Sequence, residues 1–262
     1  MMSDKDYFTI ADKKFKSRLM VGTGRHRSND EMVKSIKSSG AEIITIAIGR
    51  IDLENINAKS ILDFFDWNKY TLLPNTAGSK TAKEAIYIAE LAKELTGTNW
   101  IKLEVIPDSK YLLPDPVGTY EAAKYLVKNN FTVLPYINAD PVLAKKLEDI
   151  GCATVMPLGS SIGSGNGIHT LEEIKIIIEQ SDVPVVVDAG LAVPSDASLA
   201  MEIGADCVLV NTAIAQATNP SLMGTAFKLG VEAGRKAFLA GRIPKINQGY
   251  TSSPQSGINN AK

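Results

Sequence analysis

Trp100-Ile101-Lys102-Leu103-Glu104-Val105-Ile106 holds the residues best placed to do chemistry. It reads as a short apolar strand between Thr98-Asn99 and Pro107-Asp108, interrupted by two charges. Side chains alternate along a strand, so Lys102 and Glu104 share one face while Ile101, Leu103 and Val105 take the other. Burying an amine and a carboxylate costs roughly several kcal/mol unless they pair or react. Two readings fit this strand alone. One is an amphipathic edge strand, or a structural Lys–Glu pair. The other is a catalytic amine beside a proton shuttle. A free lysine, with a pKa near 10.4, is deprotonated in only about one part in 2,500 at pH 7. Burial lowers that pKa and an ionised Glu104 raises it, and sequence leaves the balance open.

Three other segments have the character of a binding site. Gly159-Ser160-Ser161-Ile162-Gly163-Ser164-Gly165-Asn166-Gly167 can turn backbone N–H groups toward an anion, or can serve only as a connector. Asp188-Ala189-Gly190 follows an apolar run, and Asp188 reads either as a turn residue or as a second carboxylate facing Lys102. Asn211-Thr212-Ala213-Ile214-Ala215 opens a short helix, and barrels often hold phosphate between their last loops and such a helix. Arg25, Asn75 and Thr76 also follow strands. Each is a candidate for substrate contact or for a local structural role.

The elements that must position these residues repeat as strand, loop and amphipathic helix. The strands are Leu19–Gly22, Ile43–Ile48, Thr71–Pro74, Trp100–Val105, Thr132–Tyr136, Thr154–Leu158, Pro184–Asp188 and Cys207–Val210. The helices are Asp30–Ser38, Thr81–Leu95, Thr119–Asn129, Pro141–Ile150, Leu171–Glu179, Ser195–Ile203 and Pro220–Ala240. Asp140-Pro141 supplies a cap and a first-turn proline. Thr170 with Glu173 fits a capping box, and Gly40, Gly97, Gly151 and Gly204 fit helix ends. Ile51–Asn68 gives the weakest helix signal. Strands apolar on both faces, alternating with helices, predict a parallel sheet closed as a (β/α)8 TIM barrel. The expected layout is one domain over 1–243, with an N-terminal hairpin within 1–18 and a flexible tail over 244–262. An open doubly wound sheet is the runner-up, but Gly22-Thr23-Gly24 lacks its third glycine.

Composition narrows the function. The 262 residues are 45% hydrophobic and 22% charged, with a formal net charge of -1, which gives no basic footprint for nucleic acid. No apolar run reaches membrane-spanning length and no signal-peptide core follows Met1, so a cytoplasmic protein is expected. Cys152 and Cys207 read as buried thiols. His26 and His169 have no partner at metal-ligand spacing, which excludes a histidine-rich metal site, and no residue in the sequence requires a metal or an organic cofactor.

Ten motifs then carry a resemblance. They are Gly22-Thr23-Gly24, Leu73-Pro74-Asn75-Thr76-Ala77-Gly78, Lys102-Leu103-Glu104-Val105-Ile106, Leu112-Leu113-Pro114-Asp115, Val133-Leu134-Pro135-Tyr136, Met156-Pro157-Leu158-Gly159, Ile162-Gly163-Ser164-Gly165, Val187-Asp188-Ala189-Gly190, Pro194-Ser195-Asp196-Ala197 and Asn211-Thr212-Ala213-Ile214-Ala215. In this order the chain resembles the thiazole synthases, barrel enzymes that build the thiazole phosphate of thiamin. The resemblance implies a Schiff-base lysine at Lys102 and acid/base roles for Glu104 and Asp188. It implies phosphate contacts at Gly163, Ala189, Gly190, Asn211 and Thr212. The substrates it implies are 1-deoxy-D-xylulose 5-phosphate, dehydroglycine and a sulfur carrier protein ending in a thiocarboxylate. It also implies a homotetramer, and brings in the dehydroglycine-producing enzyme as a further partner. Gly49-Arg50 departs from the family's two arginines, Ser79 from its cysteine and Ser160-Ser161 from its Ala-Pro. Two other functions share the lysine and phosphate loops: a Schiff-base aldolase acting on a sugar phosphate, and a non-catalytic phosphate-binding barrel subunit.

Overall fold

The computed structural model describes residues 6–50 and 60–249. A hairpin comes first, β1 (Phe8–Ile10) paired antiparallel with β2 (Lys13–Phe15). Its turn is Ala11-Asp12, with Ala11 at φ 51. Lys13 and Lys14 therefore lie in β2.

Eight parallel strands follow: β3 (Leu19–Gly22), β4 (Ile43–Ala47), β5 (Thr71–Asn75), β6 (Trp100–Leu103), β7 (Thr132–Ile137), β8 (Met156–Pro157), β9 (Val186–Asp188) and β10 (Cys207–Val210). Their order around the sheet is β8-β7-β6-β5-β4-β3-β10-β9. Single bridges Val155↔Val185 and Leu158↔Asp188 join β8 to β9 and complete the ring. The expected barrel is therefore present, with β4, β6, β8 and β9 shorter than the expected strands and β5 and β7 each one residue longer. Pairing in β6 stops at Leu103 because the Glu104 N–H turns aside to Thr76 Oγ1, at 2.8 Å.

The helices are α1 (Asn29–Ser39), α2 (Ala82–Thr96), α3 (Pro116–Lys128), α4 (Pro141–Asp149), α5 (Leu171–Gln180), α6 (Pro194–Glu202), α7 (Thr212–Ala215) and α8 (Pro220–Ala240). Asp140 caps α4 by accepting from the N–H groups of Val142 and Leu143. Gly40, Gly97, Gly151 and Gly204 all take positive φ where helices end, a conformation glycine adopts without a Cβ clash. The capping box expected at Thr170 does not form. Its Oγ1 instead donates to the Leu158 carbonyl at 2.6 Å, tying the start of α5 to the end of β8. In the weak segment 51–68, residues 51–59 lie outside the described residues, and Ile61–Phe64 is a 3-10 turn capped by Ser60. Of the expected tail, 244–249 are exposed and irregular, and 250–262 lie outside the described residues.

The alternation of the strands sorts the core into layers. Outward residues such as Ile101, Leu103 and Val105 pack against helices. Inward residues Met20, Ile43, Leu73, Trp100, Leu134, Met156, Val186, Cys207 and Leu209 fill the barrel together with Phe8, Ile10 and Phe15 of the hairpin. Phe15 meets Trp100 edge-on at 6.0 Å. The hairpin thus plugs the amino-terminal end of the barrel, and the opposite end is left for a site. Among the described residues, no helix is long and apolar enough to cross a membrane.

Candidate active site

Two residues beyond Trp100, the same inward face of β6 presents Lys102, and two further on Glu104. Neither faces solvent, so the edge-strand reading fails: β6 lies between β5 and β7, and Lys102, Glu104 and Asp188 are 4%, 6% and 3% exposed. Lys102 Nζ stands 2.6 Å from Asp188 Oδ2 and 3.1 Å from Glu104 Oε1. Asp188 is no mere turn residue. It comes from the far side of the ring, at the end of β9, and meets the lysine directly.

Burial pushes the Lys102 pKa down. Asp188 and then Glu104 outweigh it and hold the amine above its usual range. The resting group is an ammonium, and the nearest base is Asp188. The Tyr136 ring, inward on β7, has its centroid 5.5 Å from Nζ. Burial, reinforced by Asp188 and Glu104, raises the Tyr136 phenol and keeps it neutral. Sequence reasoning missed Tyr136. Its parity with Leu134 is readable, but its place beside Lys102 depends on the register Lys102↔Leu134 between β6 and β7.

Lys102, Glu104 and Asp188 floor a cavity of about 930 Å³ at the carboxyl ends of the strands. Lys102, Glu104, Asp188, Gly163, Ala189, Gly190, Asn211 and Thr212 all line it, as do Arg25 and Asn75. Thr76 does not line it. It is wholly buried and serves as a splint, with Oγ1 donating to the Glu104 carbonyl at 2.7 Å. Asn75 Nδ2 donates to Thr45 Oγ1 at 2.9 Å.

Opposite the lysine, the loops after β8 and β9 zip together. Gly159 N–H donates to the Asp188 carbonyl at 3.0 Å and Gly167 N–H to the Gly190 carbonyl at 2.9 Å. Gly163, Ala189 and Gly190 have φ of 71, 65 and 79. A Cβ on Gly190 would fall 1.9 Å from Ser160 Oγ, so only glycine fits there. The glycine-rich segment is therefore a braced loop. Among the described residues, the N–H groups of Gly163, Ala189 and Gly190 donate to no protein acceptor. The first N–H groups of α7, like those of any helix, lack intrahelical acceptors. The Asn211 side chain is committed elsewhere. With its amide oriented to donate, it reaches the Gly24 carbonyl at 2.9 Å and that of Gly22 at 3.2 Å.

Neither cysteine nor histidine joins this site. Burial pushes the Cys152 thiol up to about 12 and raises Cys207 as well. His26 contacts the Thr23 carbonyl and Ser35 Oγ. Among the described residues, no cluster of His, Cys, Asp or Glu is placed to hold a metal ion.

Fold and site together define an enzyme of the (β/α)8-barrel class, with a buried amine between two carboxylates and a backbone cradle suited to an anion. Residues 9–254 match the family model described as "Thiazole biosynthesis protein ThiG". A thiazole synthase of Prochlorococcus marinus (strain MIT 9301) is 56% identical over 98% of this chain and 99% of its own. One from Cyanidium caldarium is 56% identical over 94% and 96%. Among solved structures, the Amycolatopsis orientalis BexX/CysO complex contains a chain 30% identical, with a TM-score of 0.82 over 92% of this chain and 98% of that one. The chain belongs to the ThiG family, the thiazole synthases of thiamin biosynthesis.

Proposed function

We propose that thiazole formation here runs through an imine on Lys102. The observation that carries this reading is the placement of Lys102 Nζ, buried at the cavity floor and 2.6 Å from Asp188. Asp188 accepts the ammonium proton. The freed amine attacks the ketone of 1-deoxy-D-xylulose 5-phosphate, and loss of water gives the imine. That imine acidifies the adjacent C–H. Glu104 and Asp188 then move protons as the imine tautomerises and the carbonyl migrates along the chain. The carrier thiocarboxylate supplies sulfur, and dehydroglycine supplies carbon and nitrogen to close the ring.

The substrate phosphate is assigned to the N–H groups of Gly163, Ala189, Gly190 and Thr212, with Asn211 fixing the corner. A carrier partner is supported by the solved relative, which was obtained as a complex with a second protein, CysO. The homotetramer rests on family likeness. Residues 1–243 act as one domain in this reading, since the described barrel strands form one sheet.

Borohydride added with 1-deoxy-D-xylulose 5-phosphate should leave one adduct, mapped by peptide mass to Lys102. Lys102→Arg keeps the charge but forms no such imine, and should abolish both adduct and thiazole. Full turnover by the Arg variant, or an adduct elsewhere, would end this reading. An adduct without thiazole, when carrier thiocarboxylate and dehydroglycine are both supplied, would favour the aldolase chemistry.

A further inference from the structure

The proposed phosphate corner is built from Gly163, Ala189, Gly190, Asn211 and Thr212, none of which carries charge. The floor beneath it is worse than neutral for an anion. Lys102 contributes one positive charge, while Glu104 and Asp188 contribute two negative ones. A phosphate dianion entering a cavity with that floor needs a cation that is not already neutralised.

Besides Lys102, the cavity is lined by two such side chains, Arg25 and Lys80. Neither makes a side-chain hydrogen bond or ion pair among the described residues. Three arginines elsewhere are committed to carboxylates, Arg18 and Arg235 to Asp6 and Arg27 to Glu31. Position separates the two candidates. Lys80 follows β5, which β4 and β3 separate from β10. Arg25 follows β3, the direct neighbour of β10, whose end opens into Asn211 and Thr212.

The two strand ends are also bound to each other. The Asn211 amide reaches the carbonyls of Gly22 and Gly24. A Cβ on Gly22 would fall 2.8 Å from the Asn211 side chain, so that strand end accepts only glycine. Directly after this clamp Arg25 takes φ 70, an uncommon conformation for a residue with a Cβ. A sterically disfavoured backbone holding an unpaired guanidinium at a cavity wall is the kind of local cost found at ligand clamps.

We infer that Arg25 is a binding residue for the substrate phosphate, supplying the charge that the backbone cradle lacks. A guanidinium suits this task because its forked donors match two phosphate oxygens. The inference rests on the phosphate assignment above, but not on the imine.

Calorimetric titration tests it, because binding is read whether or not Lys102 reacts. Wild type and Arg25→Gln are each titrated with 1-deoxy-D-xylulose 5-phosphate and with 1-deoxy-D-xylulose. The variant should bind the phosphorylated sugar about 10- to 100-fold more weakly, leave the unphosphorylated sugar unchanged, and regain part of the loss as Arg25→Lys. Equal weakening for both sugars would make Arg25 a structural residue and overturn the inference. So would unchanged phosphate binding, including the case in which the variant fails only when dehydroglycine is added. That last result would move Arg25 to the second substrate's carboxylate. Failure of the imine reading would register separately, as tight binding by wild type with no borohydride adduct.

Discussion

At the scale of residues, the charge state of Lys102 governs the chemistry. Burial alone would favour a neutral amine, yet the paired carboxylates hold an ammonium. Imine formation should therefore accelerate as pH rises from neutral, because each step upward increases the fraction of free amine. Asp188→Asn removes the stronger of the two raising charges. The rising limb of adduct formation should then move to lower pH, even though the maximal rate falls with loss of the nearest base. A limb left in place would show that Asp188 does not set the state of the amine. Lys102→Ala should also cost more stability than Lys102→Arg, roughly 3–5 kcal/mol, since it strands two buried carboxylates. Chemical denaturation compares them. The pairing of Lys102 with Glu104 was legible from strand period alone. That Asp188 and Tyr136 close around the same nitrogen was not, because cross-barrel neighbours depend on register and closure. The reading of Thr76 as a substrate contact failed for a related reason: its hydroxyl is consumed by the Glu104 backbone.

At the scale of elements, α8 shows how a correct helix can carry an ambiguous face. Its Gly224, Ala226, Gly230, Ala233, Gly234 and Ala237 permit close packing, either against another subunit or against the barrel's own strands. The glycines are used internally. A Cβ would fall 2.6 Å from the Ser35 carbonyl oxygen at Gly224, 2.6 Å from that of Pro194 at Gly230 and 2.3 Å from that of Ser198 at Gly234. α8 thus lies directly on the backbones of α1 and α6, and Ser198 Oγ donates to the Gly230 carbonyl at 2.7 Å. These glycines are no argument for an interface. Alanine gains about 1 kcal/mol over glycine in helix propensity, but here the clash is with backbone that cannot rotate away. Gly234→Ala should destabilise by about 1–3 kcal/mol net, read as a lower denaturation midpoint with an unchanged slope. A more stable variant would show that α6 can retreat. The helix was legible from its period. Its neighbours were not, since small residues permit close approach without naming what approaches.

At the scale of the whole molecule, the barrel divides into a reactive end and a braced end. The brace was invisible in sequence because its three members lie far apart along the chain. Asp6 precedes the hairpin, Arg18 precedes β3 and Arg235 lies on α8. Arg235 reaches both Asp6 oxygens, at 2.7 and 3.0 Å. Arg18 donates to Asp6 Oδ1 at 2.9 Å and to the Asp206 carbonyl at 2.8 Å. One carboxylate thereby fastens the amino-terminal plug to the first barrel strand and the last helix. The Arg235 hydrogen bonds, followed by those of Arg18 and both charges, outweigh burial and hold Asp6 at about 2, below its usual 3.8. A depressed carboxylate pKa stabilises the fold above the unfolded value and loses that contribution as pH falls through the folded one. The brace should therefore be intact above about pH 4 and released toward pH 2. Asp6→Asn should be less stable than wild type at pH 7 by up to about 2 kcal/mol. That difference should close between pH 4 and pH 2, as protonation makes wild type resemble the variant. Denaturant unfolding at stepped pH measures both curves, and parallel curves across that window would show that Asp6 does not fasten the plug. Adduct formation on Lys102 should be equal in the two proteins at pH 7, because the brace and the amine stand at opposite ends of the barrel.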